Sequence, residues 1–481
     1  MVPRSELMRE RRRYATLVAA SQSRSSPSWM GINSTNDEDA ANKQYQYDRG
    51  AIVSRSQDQD VNNPDVHGFH RARVAQIMGR QVHFKATPKP DEVNLDPKTA
   101  AKTAEKLNRA RQLHSREGGF DASGFGRSEG KLQEKALLTM FVHGDCLVHR
   151  VWRPTSQCLL PLSLEIIPGS RMSTPYNRAG DPLLSYGIEY SDTNRSRVVA
   201  FHVRRVSQSR GNNFVPDYRW DRLPVEDCSL LSLNEVAGID RALPLQVANM
   251  RMLRNRGEFI ESAVASARAQ SKHYAVTECA PGQSPFNSAA DDMDQIAAAG
   301  VPAGFTNLDD VMMLYNQNGE KTQFSSAKLP DPDLTGFMGA TDERLARGFS
   351  SSLSRFTRKV AASWAGGRLE DQQDDPIIDQ YRGGFVSSWQ KVHGWFVEGC
   401  WLVGLVEMPG YNESTRCYWE ESRAEFFGKV HINPVDTQKA RQLGYMNRTD
   451  TPQQACEEDG KDLRENLRQW AEAMQLCREM E

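Results

Sequence analysis

The chain has 481 residues, 38% of them apolar, and a formal charge of −2; such a length holds roughly two to four domains, and the modest apolar share points to a large surface or one shared between subunits. The balanced charge excludes a global attraction to nucleic acid or membrane, no run approaches a membrane span, and the start MVPRSELMRERRR lacks the apolar core of a signal peptide, so the chain reads as cytosolic when made. Its eight cysteines, Cys146, Cys158, Cys228, Cys279, Cys400, Cys417, Cys456 and Cys477, include no C-x-x-C pair, which favours reduced, mostly buried thiols over disulfides or a zinc site.

Residues 1–50 read as an arm: a basic cluster (Arg9, Arg11, Arg12, Arg13) precedes a polar stretch in which Trp29, Tyr45 and Tyr47 are the side chains able to pin it to another surface. Helical patterning runs from about Ala51 to His83, broken by the turn signal Asn62-Asn63-Pro64. Strand-like runs follow at Leu147 to Trp152, Leu159 to Ile167, Tyr186 to Tyr190 and Val198 to Val203, giving a mixed α+β body that ends near Val236. The spacing then predicts the longest helix of the chain over Gly238 to Lys272, with Pro244 in its first turn. Val247, Met250, Leu253, Gly257, Ile260, Val264 and Ala267 share one narrow stripe, while Arg251, Arg254, Arg256, Glu258, Glu261 and Arg268 fall mostly off it. Such a rod, roughly 40 Å long, needs neighbours, and Gly257 marks where a helix could approach closely.

Between Tyr274 and Pro332 the composition shifts to Gly, Pro, Asn and Ser. From Glu278 to Glu320 there is no Lys, Arg or His, and Asp291, Asp292, Asp294, Asp309 and Asp310 make this insert acidic. A second helix is predicted from Asp333, a plausible N-cap, with Leu334, Met338, Thr341 and Leu345 on one face. The charge then inverts: Arg344, Arg347, Arg355, Arg358, Lys359 and Arg368 stand in a stretch, Arg344 to Leu369, without an acid, and its serines and glycines suggest a loop. Asp375-Pro376 is predicted to open a further helix carrying Ile377, Tyr381, Phe385, Trp389, Val392, Phe396, Cys400 and Val403. The tail reads as short helices punctuated by Asn433-Pro434, Gly444 and the box Thr451-Pro452-Gln453-Gln454, the last striped by Leu463, Leu467, Trp470, Met474 and Cys477.

Few of these residues offer catalytic chemistry. Gly126-Arg127-Ser128-Glu129-Gly130 matches G-x-S-x-G, but GGFDASGF before it cannot form the apolar strand that a nucleophile elbow needs, so a loop is expected. His67 and His70 have the spacing of metal ligands on a helix turn without a partner cluster, and surface histidines are expected. Asp291, Asp292 and Asp294 could hold a divalent ion; a solvated acidic face is the plainer reading. No G-x-x-x-x-G-K-[ST] loop is present, which argues against an ATP-driven motor. The cationic run has two readings: sequence-independent phosphate contact, or a solvated loop pairing with acids from elsewhere.

A series of short motifs runs through the chain: Arg55-Ser56-Gln57-Asp58 with Asn62-Asn63-Pro64, Gly144-Asp145, Pro161-Leu162-Ser163-Leu164-Glu165, Gly187-Ile188-Glu189-Tyr190, Val199-Ala200-Phe201-His202-Val203, Arg241 to Pro244, Phe337 to Gly348 and His431-Ile432-Asn433-Pro434. Each is weak alone, but their order and spacing from about Ala51 to Trp470 resemble the portal proteins of tailed bacteriophages, specifically the lambda-type family. One departure is that the family's N-Y-S-S-x-R element appears only as Ala362-Ser363-Trp364 with Arg368.

The resemblance implies an α+β portal fold with a mixed wing, a two-helix stem, a small inserted clip and a helical crown, assembled as a ring, usually a dodecamer, at one capsid vertex. It implies an N-terminal arm (1–50), wing (51–238), first stem helix (239–272), clip (273–332), second stem helix (333–348), channel loop (349–370), a helix connecting wing and crown (371–424) and crown (425–481). Double-stranded DNA would pass the ring in packaging and ejection, with Arg344, Arg347, Arg355, Arg358, Lys359 and Arg368 as channel candidates. Asp291, Asp292, Asp294, Asp309, Asp310, Met312 and Met313 are the clip candidates for docking a head-completion adaptor or tail protein. The other implied partners are the terminase large subunit and the major capsid protein, in the virion and, during assembly, in the host cytoplasm. No enzymatic activity, cofactor, metal or membrane contact is implied. Two readings of other classes remain open on the sequence: a metal-dependent nuclease using the aspartates near Asp292, and a non-ring DNA-binding structural protein using the cationic run.

Overall fold

The computed structural model describes residues 49–89, 96–153, 159–206, 208–210, 213–215, 217–233, 239–271, 273–278, 305–308, 311–316, 332–359, 363–427, 434–460 and 463–480. The chain divides into two compact units, Met1–Ala248 with Phe349–Glu481, and Asn249–Gly348.

In the first unit, α1 (Arg49–Asn62) and α2 (Pro64–Met78) are separated by the predicted turn. Asn63 stops one helix and starts the next: its side chain accepts from the N–H groups of Asp65 and Val66, and Pro64 fills a position where a missing N–H costs nothing. There follow β1 (His83–Ala86), α3 (Pro97–Arg116) and α4 (Glu129–His143). The strand-rich part comprises β2 (Asp145–Trp152), β3 (Leu162–Pro168), β4 (Leu184–Ser185), β5 (Ile188–Tyr190), β6 (Val198–Arg204), β7 (Gln208–Arg210), β8 (Asn213–Val215), β9 (Trp220–Pro224) and β10 (Cys228–Ser232). β2 is the middle strand of an antiparallel sheet β10-β2-β3, with Leu147 paired to Ile167 on one side and Leu230 on the other. A second antiparallel sheet has the order β4-β5-β6-β9, and β7 pairs with β8.

The second unit holds α5 (Met250–Ser271), β11 (His273–Glu278), β12 (Phe305–Leu308), β13 (Val311–Asn316) and α6 (Pro332–Gly348). The two helices run antiparallel: Asn249 Nδ2 donates to the Leu345 carbonyl (3.0 Å), Arg256 lies 2.9 Å from Asp342, and the rings of Phe259 and Phe337 are 4.2 Å apart. Gly348 permits the closest approach, since a Cβ there would stand 1.9 Å from Asn249 Oδ1. The polar insert between the helices carries a small sheet, β11-β13-β12, with β11 parallel and β12 antiparallel to β13.

The chain returns to the first unit with α7 (Leu353–Thr357), α8 (Trp364–Leu402), α9 (Arg416–Trp419), β14 (Ser422–Glu425), α10 (Pro434–Asn447), α11 (Pro452–Glu458) and α12 (Leu463–Met480). β14 pairs antiparallel with β1. α8 supplies the centre of the core: Phe385, Trp389, Val392, Phe396 and Cys400 recur every three or four residues and pack with Leu132, Ala136, Leu137, Met140 and Phe141 of α4 and Val148, Leu162 and Leu164 of the first sheet. At about 1.5–3 kcal/mol for each large apolar side chain buried, this cluster dominates the stability of the unit. The Thr451 box forms as predicted: the Thr451 N–H donates to Gln454 Oε1 (3.0 Å) while the Gln454 N–H donates to Thr451 Oγ1 (3.2 Å).

Two buried ionic clusters cross this core. Arg111 donates to both carboxylate oxygens of Glu129 (3.0 and 2.5 Å) and to Nδ1 of His393 (2.5 Å), and Trp389 Nε1 donates to the same carboxylate (3.0 Å). Asp145, fully buried, accepts from Arg241 (2.5 and 2.8 Å) and Arg49 (2.8 Å), whose remaining donors reach the carbonyls of His143, Gly169, Met172, Tyr186 and Ala242.

Several predicted elements are corrected. The long helix begins at Met250 rather than at Pro244, because residues 241–246 are held in the first unit: the Leu245 N–H donates to the Phe141 carbonyl and Gln246 Nε2 to the Ser56 carbonyl, both 3.0 Å. Its packed face is Met250, Leu253 and Arg256, whereas Ile260 and Val264 are exposed; the charge of Asp342 draws Arg256 inward against its polarity. The helix predicted from Asp375 begins at Trp364, capped by Ser363 Oγ accepting from the Gly366 N–H, and carries Pro376 inside it. Val403 stands outside that helix and is half exposed. Gly444 is internal to α10, where the Asp450 carboxylate occupies the space of a Cβ. Of the thiols, Cys146, Cys228 and Cys400 are buried but Cys417 and Cys477 are exposed.

Candidate nucleic-acid interface

The serines and glycines after α6 suggest a loop; over 349–359 the chain is turn and irregular backbone around the short helix Leu353–Thr357, clamped on several sides, and from Trp364 it is already α8. Phe349 is buried and stacks on Phe69 of α2 (centroids 4.4 Å), and Phe356 closes the group at 5.8 Å from Phe349 and 6.0 Å from Phe69. Arg73 Nη2 donates to the Ser350 carbonyl (3.1 Å); burial lowers the pKa of this guanidinium, and the charge of Asp374 partly restores it. Asp374, almost fully buried in α8, accepts from the N–H and Oγ of Ser352 (2.9 and 3.0 Å), and Ser354 Oγ donates to Glu370.

Arg355 is the member of the cationic run that this clamp absorbs. It bonds Asp371 at 2.6 Å and lies 3.5 and 3.7 Å from Asp374 and Asp375, so pairing with acids from elsewhere describes it better than phosphate contact. Arg358 is exposed and donates to the Gly68 carbonyl (2.9 Å), leaving its charge without a carboxylate, and Lys359 is exposed with no charged partner among the described residues. Arg344 and Arg347 lie exposed on α6, Arg347 in a loose pair with Glu343 at 3.5 Å. Arg368 lies on α8 with its side chain outside the described residues. Geometry therefore joins Arg355 alone to Asp371, Asp374 and Asp375, and Ser354 to Glu370, acids which sequence reasoning did not connect to the cationic run, and turns Arg358 to α2 instead.

Asp291, Asp292, Asp294, Asp309 and Asp310 lie outside the described residues, as does the arm before Arg49. Met312 and Met313 lie on β13, paired to Tyr274 and Ala275 of β11, with side chains outside the described set. Ser128 is the N-cap of α4 and the described residues 117–127 that lead into it form no strand, so the G-x-S-x-G match has the helix of a nucleophile elbow without its strand. His67 is exposed as expected, but His70 is fully buried, its Nδ1 2.8 Å from Asp60 and its ring against Phe141 and Phe349. Among the described residues no helix is long and apolar enough to cross a membrane.

Comparison with solved structures returns particle components: the neck of a native GTA particle computed with C12 symmetry (12% identity, TM-score 0.36, 82% of this chain and 99% of that one) and the neck of an empty GTA particle computed with C6 symmetry (12%, 0.41, 86% and 93%). The virion of a native gene transfer agent particle is similar at 11% identity and TM-score 0.38, over 93% of this chain and 99% of that one. No curated protein matches the chain. The sequence profile of the phage portal proteins, lambda family, matches residues 25–382, well over half of the length and the same family that the motif order resembles; the chain belongs to the lambda family of phage portal proteins.

Proposed function

We propose that this portal protein forms a ring at one capsid vertex and is the conduit through which double-stranded DNA is packaged and later ejected. The membership of the family, over a match that covers the whole inserted unit and residues 25–248 and 349–382 of the first, carries this reading. In it residues 51–238 form the wing, α5 and α6 the stem, the β11-β13-β12 sheet the clip, the segment after Gly348 the channel-facing element, and α10 to α12 part of the crown. The ring is read as a dodecamer from the family resemblance. Its partners are the terminase large subunit, the major capsid protein and a head-completion adaptor or tail protein, and Arg358 and Lys359 are the cations most open to phosphate. The antiparallel α5/α6 pair supports a stem because Phe259, Ile260, Val264 and Phe337 leave apolar surface exposed in a single chain, which neighbouring copies would cover. Negative-stain microscopy of the purified full chain tests the reading: rings with a central channel are expected, and a uniformly monomeric preparation overturns it.

A further inference from the structure

Residues 350–358 are bracketed by two non-glycine residues in the left-handed region, Ser350 (φ 49°) and Arg358 (φ 56°). Such conformations persist only where the surroundings over-determine them; here Arg73 and the Gly68 carbonyl of α2 hold the two ends, and carboxylates from one stretch of α8 hold the residues between. Glu370, Asp371, Asp374 and Asp375 together engage Ser352, Ser354 and Arg355, and all four precede Pro376, whose missing N–H interrupts the helix ladder just beyond them. The clamp is incompletely satisfied: Nη1 of Arg355 and Oγ of Ser351 are buried without a hydrogen-bond partner among the described residues. The segment thus has strained ends, an ionic hold that competing anions weaken, and donors still to offer.

We propose that residues 350–358 are an electrostatic latch, in which the acids of α8 stand in for phosphate and mask Arg355 until a polyanion competes for it. In the closed state, the one described above, the segment offers Arg358 and Lys359 only; in the open state Arg355 joins them. The stacked pair Phe69 and Phe349 anchors the latch at its start, so opening swings the part after Ser350, lifts Phe356 from these rings and leaves Phe349 seated. The masking step rests on the conduit reading, because DNA is the polyanion it names. A contact that must break one ion pair to make another exchanges partners at little net gain, which suits a passage that DNA has to traverse without being held.

Hydrogen–deuterium exchange on the purified full chain tests the latch with no nucleic acid present. In Asp371→Asn/Asp375→Asn, which keeps the buried Asp374, amides of residues 350–358 are expected to exchange about tenfold faster than in the parent, while α2 and α8 beyond Pro376 keep their protection. Unchanged exchange overturns the proposal, as does a loss of protection spreading through α2 and α8, which would make these acids general scaffolding. Duplex binding at low salt, read by fluorescence anisotropy, tests the masking: the double variant should bind about threefold tighter than the parent, and adding Arg355→Gln should remove that gain. A gain that survives Arg355→Gln is the generic effect of two fewer acids and overturns the masking, as does no gain at all. Either failure leaves the ring itself to microscopy, so the latch and the portal assembly fail separately.

Discussion

Nδ1 of His393 accepts a hydrogen bond from Arg111 across 2.5 Å in the middle of the core, and a ring nitrogen that accepts from a guanidinium carries no proton. Burial first and the Arg111 charge second hold the His393 pKa well below the ordinary histidine value. His114 is also lowered by burial, and His143 falls to about 4 for the same reason despite the attraction of Asp145. The folded pKa of each lies below the value of about 6.5 that it takes when unfolded, so the unfolded state binds more protons as the pH falls below that value. Stability should be flat above about pH 7 and fall from about pH 6.5 downward, by as much as ~1.4 kcal/mol per pH unit for each histidine. Urea unfolding at pH 7, 6 and 5 checks this, and His393→Gln should flatten the slope by about one proton's worth. Glu129 acts in a lower window: burial opposes its charge, but Arg111 outweighs burial and depresses its pKa, so its contribution is lost only below the ordinary carboxylate range.

Asp145 neutralises two buried guanidiniums at once, and burial would otherwise lower the Arg49 pKa beyond the value of about 10 that it reaches. Asp145→Ala should cost about 3–5 kcal/mol, the range for stranding a buried charge. A midpoint shift equivalent to under about 1 kcal/mol would mean that the backbone carbonyls alone satisfy Arg49 and Arg241.

Gly348→Ala should destabilise the α5/α6 pair by about 1–3 kcal/mol, because its Cβ would overlap Asn249 Oδ1. Limited proteolysis should then cut within 249–348 sooner than in the parent, and Asn249→Ala in the same chain should recover part of the loss.

Gly257→Leu separates chain stability from assembly. No atom lies within 4 Å of the position its Cβ would take, so the single chain should tolerate it and gain up to ~1 kcal/mol of helix propensity. If α5 lies against a neighbouring copy, ring yield should nevertheless fall, and fall further than in Glu258→Ala; equal yields with unchanged melting would count against α5 as a stem.

Much of this fold was legible where one periodicity governed a segment. Val198 to Val203 is a short apolar run and forms a strand, and Phe385 to Cys400 repeats as a helix and packs as one. Reading failed where tertiary contacts outbid local signals. Pro376 looks like a helix start, yet Ser363 caps the helix well before it. Arg256 is polar by pattern and buried by Asp342, and His70 is buried through Asp60 and two rings distant in sequence. The cationic run shows its composition plainly, but the acids that hold Arg355 come sixteen and more residues later, on α8, a pairing that no local spacing encodes.

Asn249 and Gly348 touch, so the inserted unit leaves the first unit's chain path and rejoins it at nearly one point. Such an insertion behaves as a cassette: it can be exchanged, lengthened or excised with little demand on the host scaffold, because adjacent ends need no long bridge. Recombination between phages could then replace the whole of residues 249–348 in one event while the core built on α8 stays as it is. Joining Ala248 to Phe349 through a short Gly-Ser turn should therefore yield a soluble first unit with a single cooperative unfolding transition; a molten product would show that the scaffold depends on its insert.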